Sequence, residues 1–180
     1  MQYFNVPSSL KEVFGEKQTS IEVAATLISS LATCLIVYCF LYPSNDNNHI
    51  AVIFGFVLVW DVLAGCIANF TYGTNQYYAT RDKSRWVFIA IHFHIIAIAW
   101  LLDGPLYLSV WVWLFTITAA ISVNLLQGQK LQLFVAVNFV CIGLILIFLL
   151  AMPAWFSLVS IFFLLKVVLS FAVDHYKNNE

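Results

Sequence analysis

Asp61 is the one acidic residue set well inside an apolar stretch of this 180-residue chain, and Gly65 and Asn69 follow it at intervals of four. On a helix that spacing stacks them on one face, where a carboxylate, a missing side chain and an amide make a notch that must meet protein or water rather than lipid. His92, His94, Asn138 and Lys166 also lie within apolar stretches, and Tyr77 and Tyr78 follow the Asp61 stripe in the longest polar loop. An ionisable side chain held at membrane depth is a functional candidate by default, and Asp61 with Lys166 or His92 has the ingredients of a proton relay. The candidate ligand or proton site is therefore Asp61, Asn69, His92, Lys166, Asn138, Tyr77 and Tyr78.

Other chemistries fit less well. His92 and His94 are two apart, about 200° around a helix, so a regular helix cannot aim both at one centre. His92 shares a stripe with Arg85 and Asp103 and is expected to face inward, with His94 turned to a neighbouring helix or to lipid. A catalytic zinc site normally takes three protein ligands, which Asp61, His92 and His94 could supply only through a distorted helix. No metal and no cofactor is assigned. His49 and His175 lie at opposite membrane edges, which disfavours a bis-histidine heme, and H-E-x-x-H, G-x-S-x-G and phosphate-loop motifs are absent from the sequence. Asn124 reads as a polar contact between helices.

The elements that must position these groups are membrane helices. The chain is 62% hydrophobic and only 9% charged, with a mean hydropathy of +0.90, whereas soluble proteins carry charged residues at about 25%. With a net charge of −1, nothing suggests nucleic-acid binding, and no nucleic-acid partner is expected. The four cysteines lie inside apolar segments and read as small buried hydrophobes rather than disulfide or redox partners. The first twenty residues lack a signal-peptide pattern, since the apolar run follows a polar, mixed-charge opening, and no cleaved leader is expected.

Residues 1 to 20 hold a capping-box spacing at Ser9 to Glu12 and an apolar strip of Leu10, Val13 and Phe14 ended by Gly15, which predicts a short amphipathic helix in the membrane interface. A second box, Thr19 to Glu22, starts the membrane domain, residues 21–176. Its spans are expected at about 21–43, 50–70, 86–102, 106–126, 131–151 and 154–173, with a tail at 177–180; about 20 residues at 1.5 Å each cross a bilayer core of about 30 Å. The polar turn from Ser44 to His49 closes the first span, Asp103-Gly104-Pro105 turns the chain into the fourth, and Met152-Pro153 folds the last apolar run back.

An even number of spans puts both termini on one side. Lys11, Lys17, Arg81, Lys83, Arg85, Lys130 and Lys177 all fall there, and the opposite turns hold neither lysine nor arginine, so the positive-inside rule makes that side cytoplasmic. Counted from that boundary, Asp61, His92, His94, Asn138 and Lys166 share a layer about 10 to 15 Å deep. The fold class expected is an all-α integral membrane protein of the cell membrane, a bundle of six transmembrane helices. Small-solute or ion transport, or ligand binding, is the function expected of it. An intramembrane enzyme acting on a lipid or isoprenoid, or a non-catalytic accessory subunit, is the alternative. Lipid is the expected partner, and small-residue helix faces could bring copies of the chain together.

Overall fold

A computed structural model describes residues 3–43 and 48–177; residues 44–47 of the expected first turn and the tail from 178 lie outside the described residues. Two short strands, β1 (Tyr3–Asn5) and β2 (Lys17–Thr19), pair antiparallel in the register Tyr3 to Thr19, Phe4 to Gln18 and Asn5 to Lys17. Between them lie a 3-10 turn, Ser8–Leu10, and the single-turn helix α1, Lys11–Phe14. The expected amphipathic helix is thus only one turn long. Its N-cap is Leu10, which makes no side-chain cap, and Gly15 stops it at φ 71°, a left-handed conformation that suits glycine.

Thr19 and Glu22 do close their capping box, and α2 (Ser20–Ile36) follows, widening into a π-helix over Val37–Leu41. The remaining helices are α3 (His49–Ala68), α4 (Tyr72–Ala79), α5 (Asp82–Ile91), α6 (His94–Leu101), α7 (Leu106–Leu125), α8 (Gln132–Leu149) and α9 (Ala154–Leu164), which runs into a second π-helix, Leu165–Phe171. Among the described residues, six helices are long and apolar enough to cross a membrane: Ser20–Leu41, His49–Ala68, Asp82–Leu101, Leu106–Leu125, Gln132–Leu149 and Ala154–Phe171. The turns into the fourth and sixth carry Asp103 and Ala151 at φ 49°. The expected polar loop between Thr71 and Arg85 is instead mostly helix, since α4 and the first turn of α5 occupy it.

α9 is the centre of the bundle. Phe156, Phe163, Leu164, Val167 and Val168 are fully buried, and the helix packs against α3, α6, α7 and α8. Large apolar side chains elsewhere point outward, as at Phe40, Ile28 and Phe148. Cys34 and Cys66 are buried, whereas Cys39 and Cys141 are exposed on that outer surface; all four are free thiols. The expectation of uniform cysteine burial therefore fails for two of them, because an outward apolar face accepts a thiol as readily as a core does.

One end of the bundle is knitted by side chains. Asn75 of α4 donates to Val173 O at 2.9 Å and accepts from His175 N at 3.0 Å. Gln127 donates to Ala79 O at 3.1 Å, Lys177 donates to Gly128 O, and Thr74 donates to Val13 O at 3.1 Å. Gly15 and Gly73 let the hairpin sit directly on α4: a Cβ on Gly15 would meet the Gly73 carbonyl, and one on Gly73 the Lys17 carbonyl.

Candidate functional site

The Asp61 carboxylate is held from the side by the most buried helix. Lys166, 3% exposed, donates from Nζ to Asp61 Oδ2 at 2.7 Å and reaches the Asp61 carbonyl at 3.3 Å. Its stem crosses α3 at Gly65, where a Cβ would run into Lys166 Cε and Nζ. The notch is therefore a seat for the lysine. Lys166 sits in the π-helical end of α9, and Ser170 donates to its carbonyl at 2.9 Å; wide turns of this kind recur at functional sites.

The third span is broken where the histidines lie. α5 ends at Ile91, α6 begins at His94, and His92 takes φ −82° and ψ 68° between them. His92 Nδ1 lies 2.5 Å from Phe88 O, the carbonyl that its own backbone N–H would take in a regular helix, and that N–H bonds Ile89 O instead. The side chain thus displaces the backbone from its ladder, a recognised cause of a sharp helix break. The freed His92 carbonyl accepts from Trp113 Nε1 on α7 at 3.0 Å.

The break overturns the expected histidine geometry. His94 is the histidine nearest Asp61, with Nε2 3.7 Å from Oδ2, and the two imidazoles approach to 4.9 Å between ring centres. His92 is buried as expected, 3% exposed, stacked on Phe88 at 3.7 Å, which in turn stacks on Phe171 at 3.5 Å. His92 Nε2 and His94 Nδ1 are buried without a partner. Among the described residues, no three metal-ligating side chains converge.

These groups line an open pocket of about 440 Å³ together with Glu12, Val13, Tyr78, Lys83, Ser84, Val87, Phe88 and Ile91. The shape follows from the packing: α6 lies along α3, while α5 leans on α4 and α7, so a wedge opens between α3 and α5. α1 roofs it. The Asp61 side chain remains 50% exposed to this space, against 4% for Lys166.

Other sequence candidates lie elsewhere. Asn69 caps the far end of α3, buried, with Nδ2 unpartnered, and it is not among the residues that line the pocket. Asn138 is exposed on α8 and donates to Phe134 O at 2.7 Å, one turn back on its own helix, which satisfies its amide without a partner helix. Tyr78 is at the pocket and donates to Glu12 O at 2.9 Å, fixing the roof. Burial, then the Glu12 carboxylate and Tyr77, push its phenol above the ordinary tyrosine range. Tyr77 turns away beneath the Arg81 guanidinium, 4.0 Å from the ring centre.

Sequence reasoning placed Arg85 in a cytoplasmic loop, but it is fully buried on the first turns of α5, donating from Nε to Asn124 Oδ1 and from Nη2 to Ala172 O, both at 2.7 Å. Its seven-residue spacing from His92 was the signal that it shared the inward stripe. Trp113 and the α1 roof gave no comparable sign.

Fold and site together define a class: a bundle of six apolar helices compatible with a multi-pass membrane protein, carrying a charge pair and two histidines in a side pocket. No protein-family model, no curated protein and no solved structure matches the chain.

Proposed function

We propose that this chain is a multi-pass protein of the cell membrane, both termini cytoplasmic, and that the Asp61, Lys166 and His94 cluster binds a small solute or ion, as a transport protein would. Asp61 is the titrating or ion-pairing group of the site. The observation that carries this reading is the asymmetry of the pair: Lys166 is enclosed, while Asp61 is half open to a pocket large enough for a ligand. An ion pair that only locked helices together would be closed on both sides, with every polar atom satisfied.

The same asymmetry sets the test. Asp61→Asn strands a buried ammonium, so it should cost about 3 to 5 kcal/mol of stability. Lys166→Met leaves a carboxylate that the open pocket can solvate, and should cost far less. The double variant should fold well but lose proton uptake at the site, measured as the pH change of an unbuffered suspension of the purified protein on acidification. A double variant with the full proton uptake of the native chain would remove Asp61 from the mechanism and leave the accessory-subunit reading.

A further inference from the structure

The wedge has a mouth flanked by exposed apolar side chains. Val87 and Ile91, on its α5 wall, are 58% and 51% exposed and lie inside a helix apolar enough to span the membrane, Asp82–Leu101. Behind them the wall is Phe88, and the floor is Asp61, His92, His94 and Lys166. A ligand that reaches the floor from this side must bring an apolar body along the α5 wall.

The floor also specifies a head. Asp61 Oδ2 is taken by Lys166 and His94, leaving Oδ1 with no partner among the described residues. Phe88 O can only accept, so in the neutral ring His92 Nδ1 carries the proton and Nε2 is an acceptor, buried and unpartnered. Asp61 Oδ1 is thus the acceptor open to the pocket without a donor, and His92 Nε2 is a second one enclosed in its wall. Charge gives the second constraint: Asp61 and Lys166 cancel, so a head with a net charge would stand uncompensated at membrane depth, where an isolated charge is unfavourable.

Resting on the binding reading above, we propose that the ligand is an uncharged lipid alcohol, a long alkyl or prenyl chain ending in hydroxyl, which enters sideways between α3 and α5. The chain lies along Val87, Phe88 and Ile91, and the hydroxyl donates to Asp61 Oδ1. Glu12 and Lys83, at the outer rim, remain solvated and take no part in holding the head.

The test uses the full chain in phosphatidylcholine vesicles and a long-chain alcohol carrying a photoreactive diazirine near its hydroxyl, with the labelled residues mapped by mass spectrometry. Labelling should fall on the wedge, on Phe88, Ile91 or Asp61. Excess unlabelled tetradecanol should reduce it about tenfold, while glycerol, tetradecanoate and tetradecyltrimethylammonium should leave it near its starting level. Val87→Trp, which fills the mouth from an exposed position, should abolish wedge labelling with an unchanged melting temperature. Displacement by glycerol would overturn the amphiphile while leaving a small-solute site intact, and equal displacement by the charged amphiphiles would overturn the neutral head. A second, apolar groove of about 430 Å³ lies between α7 and α8, lined by Trp111, Phe115, Gly143 and Ile147; labelling confined to it, or insensitive to every competitor, would overturn both this inference and the binding reading. Wedge labelling unaltered in Val87→Trp would overturn the lateral route.

Discussion

A side chain's neighbours at the same depth matter more here than its own position in the sequence. The spacing of Asp61, Gly65 and Asn69 showed that α3 needs a protein-facing stripe, but the three residues do different things: Asp61 pairs with Lys166, Gly65 makes room for its stem and Asn69 ends the helix. Residue counting put Lys166 at the level of Asp61, and Nζ is 2.7 Å from the carboxylate. The same counting put Asn138 there too, and Asn138 points outward, because depth says nothing about rotation. Gly65 is where this can be measured. Gly65→Ala adds a methyl where the Lys166 stem lies, and should cost about 1 to 3 kcal/mol by overpacking. If the cost comes from this contact, it should shrink in a Lys166→Met background, whose thioether chain can give way. Melting temperatures of the two singles and the double provide the cycle, and strictly additive losses would show that Gly65 and Lys166 do not interact.

Helices were legible where apolar runs are long and bounded by turn chemistry. The six long helices were readable from composition and length, and Thr19 with Glu22, Asp103-Gly104-Pro105 and Met152-Pro153 marked starts and turns. Two features were not. The N-terminal hairpin depends on pairing across a short loop and on the close seat of Gly15 against Gly73, which no period in the sequence expresses. The break at His92 contains neither glycine nor proline, and arises because an imidazole takes a backbone acceptor while a tryptophan on another helix takes the carbonyl released. That contact is tertiary, so a reading of the third span alone yields a straight helix. It also leads to a prediction: Trp113→Phe leaves the His92 carbonyl without its donor inside the bundle, which should cost about 1 to 3 kcal/mol. Trp111→Phe, at an exposed position on the same helix, should change the melting temperature little. Equal effects of the two substitutions would mean that the indole bond does not hold the break.

At the scale of the whole molecule, the two ends of the bundle are chemically unlike, and this can be read in both sequence and structure. Lys11, Lys17, Arg81, Lys83, Lys130 and Lys177 lie in segments that α4, the hairpin and the turn after α7 bring together through Asn75, Thr74 and Gln127. Arg85 drops out of the count, since it is buried among Asn124, Ala172 and Phe171 and reports on packing rather than orientation. The remaining basic residues still sit at a single end, which the positive-inside rule assigns to the cytoplasm. The outer belt of Ile28, Phe40 and Phe148 is what a lipid solvent would face. These arguments meet in one measurement. In a variant with its four native cysteines replaced by alanine, Gln129→Cys lies in the exposed turn at the basic end and Asp103→Cys in the exposed turn at the other. An impermeant thiol reagent added to intact cells should label Asp103→Cys and leave Gln129→Cys unreacted until the cells are opened. The reverse pattern would invert the protein and place the Asp61 pocket in the outer half of the bilayer, and labelling of both in intact cells would argue against a membrane-spanning bundle.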